Sequence, residues 1–209
     1  PAEFIPLAEE SQLIHDLGHW VMAEALHQVN QWHDLLPENV RIAINISARQ
    51  MAQENFAEHL ISLAEQFQVP LTRLEVELTE TSILTDEILV KQHLYALRAV
   101  GVKVSLDDFG TGYSSLTFLR NLPIDSVKID RSFVMRLEGD EESQAIVMSV
   151  LGLCQKLSLE TVAEGIETAE QAALLAAKGC TEGQGYLFAR PMPADQVLEF
   201  IRAPGYLAL

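Results

Sequence analysis

Short β-branched runs alternate with longer stretches of helical periodicity along the chain, and strand and helix in strict turn favour a parallel sheet. Six runs read as strands: Arg41–Ile46, Leu74–Leu78, Lys103–Leu106, Ser126–Ile129, Glu160–Ala163 and Gly185–Ala189. Between them a helical apolar period covers Phe56–Phe67, Asp86–Val100, Glu141–Leu157 and Thr168–Lys178. A last helix is expected over Ala194–Arg202, with Pro193 at its entry. Ahead of the first strand, Pro6–Leu36 reads as an amphipathic helical segment, its apolar face marked by Leu13, Ile14, Leu17, Trp20, Val21, Ala25 and Leu26. A crossover helix in that place implies an earlier strand. The pattern therefore predicts an α/β fold, a (β/α)8 TIM-like barrel with about two N-terminal strands upstream of Pro1. Residues 1–209 would form one N-terminally incomplete domain. An open doubly wound sheet is the alternative.

Composition narrows the function classes. The chain is 48% hydrophobic and 21% charged, ample apolar material for one sizeable core. Thirty acidic residues against 14 basic ones give a formal net charge of −16, which disfavours a nucleic acid polymer or an anionic membrane as partner. An anionic substrate would need metal ions to bridge it. Cys154 and Cys180 lack metal-ligand or redox-motif spacing and read as buried thiols of a reducing compartment. No run of about 18 apolar residues could insert directly into a bilayer, and no signal peptide is visible. A cytoplasmic domain is expected, with membrane anchoring of a longer parent protein left open.

In a parallel barrel the chemistry sits at the carboxyl ends of the strands. Those ends carry Asn45, Glu77 and Glu80, Asp107 and Asp108, Lys128, Glu164 and Glu167, while Gln184 stands at the expected start of the last strand. Asp107 and Asp108 enter a glycine-hinged loop, Phe109–Ser115, and two adjacent carboxylates repel unless cations join them. Oxygen ligands suit Mg²⁺ or Mn²⁺, and one carboxylate can bridge two such ions; a simple turn or helix cap is the bland reading of the pair. Asn45 could ligate Mg²⁺ or cap the turn after it, and Asn45-Ile46-Ser47 also fits a glycosylation acceptor, which a cytoplasmic strand end makes unattractive. Glu77, at the rim, could be a ligand, and Glu80 could hold the glycine-rich loop through backbone hydrogen bonds. Either could instead be a surface carboxylate, the preferred reading for Glu75. Lys128, inside an apolar strand, could orient an attacking water, stabilise phosphate charge or form a structural ion pair. Glu164 could hold a water beside the metal or take its proton, and Gln184 could support that neighbourhood by hydrogen bonding.

Taken in order, these residues resemble the EAL-type cyclic di-GMP phosphodiesterases. The resemblance runs through Phe4-Ile5-Pro6-Leu7-Ala8-Glu9, Asn45-Ile46-Ser47, Glu77-Leu78-Thr79-Glu80, the segment from Asp107 to Ser115 (DDFGTGYSS), Val127-Lys128-Ile129-Asp130, Ala163-Glu164-Gly165-Ile166-Glu167 and Gln184-Gly185-Tyr186. It implies hydrolysis of cyclic di-GMP to linear pGpG with two Mg²⁺ or Mn²⁺ ions. Asn45, Glu77 and Asp107 match ligands of the first metal, with Asp107 bridging and Asp108 on the second. Glu164 and Lys128 match residues that position the water, Gln184 a supporting contact, and Glu80 the anchor of the Phe109–Ser115 loop. That loop is associated with dimerisation in the family, so a homodimer is admitted.

One departure bears on activity. The Glu-Ala-Leu signature of the family, whose glutamate is a metal ligand, precedes the Phe4–Glu9 motif and would lie upstream of Pro1. Glu24-Ala25-Leu26 follows that motif inside the first helical segment and reads as chance. The expectation is a phosphodiesterase in the complete domain, with the present chain not fully active alone. A non-catalytic cyclic di-GMP receptor or protein-interaction module is the competing reading.

Overall fold

Strand and helix alternate along the computed structural model, which describes residues 3–33, 35–37, 40–84, 86–110 and 116–202. The chain divides into two units, Pro1–Ser105 and Leu106–Leu209.

The first unit opens with α1 (Ile5–Glu10) and α2 (Leu13–Gln31), where one continuous segment was expected. Ser11 makes the break. Its backbone is extended, at φ −103° and ψ 172°, and its Oγ donates to the Ala8 carbonyl and to the Leu7 carbonyl, which also accepts the Ser11 amide. The expected apolar face also needs correction. Ile14, Gly18, Met22, Leu26 and Val29 are buried, whereas Leu13 and Trp20 are 63% and 62% exposed. Apolar residues encircle α2, so their period marks two stripes, and the buried one includes a glycine that hydrophobicity does not register.

Next come β1 (Ile42–Asn45), α3 (Ala48–Met51), α4 (Phe56–Gln66), β2 (Leu74–Thr79), α5 (Glu80–Leu84) and α6 (Glu87–Ala99). β1 and β2 pair in parallel, bringing Asn45 opposite Glu77. Ser47 and Gln50 form a capping box that starts α3 directly after the Asn45 strand end. Gly18 lets that box pack against α2: a Cβ there would lie 2.0 Å from Gln50 Nε2. Asp86, capping the Leu89 amide, fixes the start of α6.

β3 (Lys103–Phe109) begins in the first unit and ends in the second. The second continues with α7 (Leu116–Asn121), β4 (Ser126–Ile129), α8 (Arg131–Val134), α9 (Glu141–Leu157), β5 (Glu160–Glu164), α10 (Ala169–Ala177), β6 (Glu182–Gln184) and α11 (Ala194–Arg202). β4, β5 and β6 pair in parallel in chain order, their buried residues including Val127, Ile129, Val162 and Ala163. Thr161 and Thr181 exchange side-chain-to-backbone bonds of 2.7 to 3.2 Å that lock β5 to the chain entering β6. Cys154 and Cys180 are buried free thiols, and burial pushes Cys154 up to about 11, far from a reactive thiolate.

The last strand lies earlier than its apolar pattern predicts. Residues 185–189 form a turn, because the Phe188 and Ala189 amides donate back to Gly185 O and the Leu187 amide donates to Ile166 O. Gly185 makes this possible by lying against the backbone of Ile166, whose carbonyl oxygen would be 2.1 Å from a Cβ. Among the described residues no helix is long and apolar enough to cross a membrane.

Candidate metal centre

In the first unit, Asn45, the last residue of β1, pairs in register with Glu77, two residues before the end of β2. Side chains paired in this way leave the sheet on the same face. The Ile46 amide donates to Glu77 O at 2.8 Å, extending the ladder one step past Asn45. Asn45 is exposed, and Glu77 is buried, at 7% exposure. Glu80, also buried, opens α5. Of the loop assigned to it as partner, Phe109 belongs to β3 and Gly110 is described at φ +101°, while residues 111–115 lie outside the described residues.

Glu75 departs from its expected place at the surface. It is largely buried and paired at 3.5 Å with the buried ammonium of Lys103. The alternation of β2 puts Glu75 on the same face as Glu77, and a buried lysine facing that strand compensates its charge.

In the second unit the geometry converges. The Asp107 and Asp108 carboxylates leave the end of β3 with a Glu164 carboxylate from the end of β5, each offering an oxygen within 4.8 Å of the others. Asp107 is buried and Glu164 half-buried. Lys128, projecting from β4, holds Glu164 Oε1 at 2.7 Å and Asp107 Oδ1 at 3.2 Å. Lys128 is register partner to Val162, so Glu164, two residues further along β5, lies on the same face one step nearer the rim. Gln184 ends β6 opposite Glu164, rather than beginning a strand as expected, and remains exposed.

Two backbone features aim these groups. Asp108 sits at φ +54°, a left-handed conformation that aspartate tolerates better than most residues, while the Asp107 carboxylate accepts the Asp108 amide at 3.0 Å. Gly165, at φ +73°, follows Glu164 and packs so close to α8 that a Cβ would lie 2.6 Å from Arg131 Cβ. Both turns occur where a carboxylate leaves its strand.

Asp130 has a part that the strand-end pattern does not reveal. It caps α8 by accepting the Ser132 amide at 3.0 Å, and its carboxylate acts on Asp108 electrostatically. Its signal was its position two residues beyond Lys128, on the same side of the chain. The Asp108 carboxyl is raised above its ordinary value. Partial burial is the main cause, followed by the charges of Asp107 and Asp130, with Lys128 opposing. A cation bound among these oxygens would reverse that balance. The donor set is all oxygen and carries excess negative charge, so it fits a hard divalent ion.

Comparison with known proteins gives this arrangement a context. Residues 1–191 match the family model described as EAL domain. The chain is 43% identical over 204 residues to the cyclic di-GMP phosphodiesterase PA2567 of Pseudomonas aeruginosa, covering 97% of this chain and 34% of that protein. It thus spans about a third of the length of that curated relative. In structure it is similar to the PaMucR phosphodiesterase in complex with c-di-GMP, with a TM-score of 0.90, 40% identity, and coverage of 94% of this chain and 80% of that one. A manganese and cyclic di-GMP complex of Klebsiella pneumoniae BlrP1 aligns with a TM-score of 0.75 at 30% identity, covering 85% of this chain and 45% of that one.

Proposed function

The chain belongs to the EAL domain family, and from that premise we propose that the protein carrying it hydrolyses cyclic di-GMP to linear pGpG, using divalent metal ions held by its strand-end carboxylates. The observation that carries this reading is the convergence of Asp107, Asp108 and Glu164 around the buried ammonium of Lys128. A structural ion pair needs one carboxylate for one ammonium. Here three gather, and Asp108 is already disfavoured as an anion.

Two Mg²⁺ or Mn²⁺ ions, when bound, supply Lewis-acid polarisation of the phosphodiester and lower the pKa of the attacking water. Asp107 and Asp108, with Asn45 and Glu77, are the residues assigned to hold them. Glu164 positions the water and accepts its proton. Lys128 keeps the Glu164 carboxylate in place and, as a fixed positive charge, stabilises the charge that builds on the phosphate during attack. Gln184, beside Glu164 in register, supports the same neighbourhood by hydrogen bonding. On the family resemblance, Glu80 would have the part of loop anchor, and a homodimer belongs to the same reading. The cytoplasm is the matching compartment for a nucleotide second messenger.

The test is chromatography of cyclic di-GMP incubated with the full-length protein, first stripped of metal and then resupplied with Mg²⁺. Release of pGpG only on resupply is expected. Tight nucleotide binding with no product under either condition would replace the enzyme with a receptor.

A further inference from the structure

Outside the acidic centre, the first unit brings two imidazoles together. His19, exposed on α2, and His59, half-buried on α4, have Nδ1 and Nε2 only 3.0 Å apart, with ring centroids at 5.2 Å and planes tilted by 33°. Forty residues separate them in sequence, so the packing of α2 on α4 makes the pair rather than the spacing within one helix.

We infer that His19 and His59 form a second metal site, selective for borderline ions such as Zn²⁺, Ni²⁺ or Cu²⁺ and distinct from the carboxylate centre. In the free protein the two nitrogens face each other head-on across an N–H···N bond, so a bound ion requires each ring to turn until both lone pairs meet at one point beside the N···N line, a rotation that the exposure of His19 allows. Metal–nitrogen bonds of about 2.0–2.1 Å place adjacent ligand nitrogens about 2.9 Å apart in the square-planar or octahedral geometry of Cu²⁺ or Ni²⁺ and about 3.3 Å apart in the tetrahedral geometry of Zn²⁺, so the 3.0 Å separation needs little translation of either ring. Binding needs both rings neutral, with the shared proton moved to the other nitrogen of its ring and no net proton released. The exposure of His19 leaves the remaining coordination positions to water. Imidazole favours these ions over Mg²⁺, whereas the oxygen-only set of Asp107, Asp108 and Glu164 favours Mg²⁺ or Mn²⁺. The two sites would therefore fill with different ions from one solution, and the imidazole site would clamp α2 to α4.

The experiment is Cu²⁺ titration of the metal-stripped protein followed by electron paramagnetic resonance, in which nitrogen ligands leave a splitting that carboxylate oxygens do not. A parallel Zn²⁺ titration monitors thermal unfolding in excess Mg²⁺. A two-nitrogen signal and a Zn²⁺-dependent rise in Tm are expected. His19→Gln and His59→Gln should each lose that signal and weaken Zn²⁺ binding by roughly tenfold or more. His27→Gln should keep both, because His27 bonds instead to Gln31 on its own helix. Circular dichroism establishes that each variant is folded. Absence of the two-nitrogen signal from the unsubstituted protein, or its persistence in both folded variants, would overturn the inference and leave an ordinary hydrogen bond.

Discussion

Lys128 sets the charge balance at the residue scale, since its ammonium is 6% exposed and touches two carboxylates from different strands. Lys128→Met would leave Asp107 and Glu164 close together without their counter-charge. Removing one partner of a buried pair costs about 3–5 kcal/mol, and Mg²⁺ should recover part of it by taking over the neutralisation. Urea unfolding with and without Mg²⁺ measures both effects. A variant as stable as the parent without metal would show that the pair carries no weight. Asp108 should behave oppositely. Its folded pKa lies above the unfolded value, so the folded state holds the proton to higher pH, and stability falls as pH rises between the two values. Above both, the cost is fully present; below both it vanishes. Metal-free Asp108→Asn should therefore melt higher than the parent at pH 7, and its advantage should shrink as pH falls through the carboxylate range. Thermal melts across that range that show no advantage at pH 7 would remove the repulsion from the account. The carboxylates were legible in sequence as residues at strand ends, whereas the left-handed turn at Asp108 was not, since alternation alone would send adjacent Asp107 and Asp108 to opposite faces. The influence of Asp130 on Asp108 and the Glu75–Lys103 pair were not legible either, because each depends on a partner from a different segment of the chain.

At the scale of elements, close backbone approach decides what hydrophobic period cannot. Gln50 occupies the space that a side chain at position 18 would need, so Gly18 lets the α3 capping box seat against α2 beside the Asn45 strand end. Gly18→Ala must displace Gln50 and should cost about 1–3 kcal/mol in a denaturant titration, as overpacking generally does. An unchanged midpoint would mean that the box is not wedged there. Gly185 is the sharper case, because its neighbour is the Ile166 backbone, which cannot rotate away. Gly185→Ala should lower stability more than Gly18→Ala and also impair turnover, since the turn holds Gln184 and the Glu164 strand end in register. Comparing unfolding midpoints and kcat for the two variants checks that ordering. These contacts explain two misreadings of the sequence. The buried stripe of α2 includes Gly18, and Tyr186-Leu187-Phe188-Ala189 resembles a strand only until Gly185 folds it back on Ile166. The helix at Glu141–Leu157 was legible to the residue, with Asp140 at its cap, and the last helix begins at Ala194 as expected.

For the whole molecule, alternation of strand and helix made the α/β class legible, and similarity to EAL domain structures extends that to the family fold. A formal charge of −16 favours cations and opposes phosphate anions, so on the proposed reading a phosphodiester would need bound metal ions to bridge it to the chain. The measurement that tests this dependence most directly is pGpG release from cyclic di-GMP by the full-length protein and its Asp107→Asn variant, each stripped of metal and titrated with Mn²⁺. Nucleotide binding is followed on the same samples. The account predicts metal-dependent product from the parent, and from the variant a folded protein whose turnover is lower by roughly a hundredfold or more. Equal turnover by parent and variant, or product formed without metal, would contradict it.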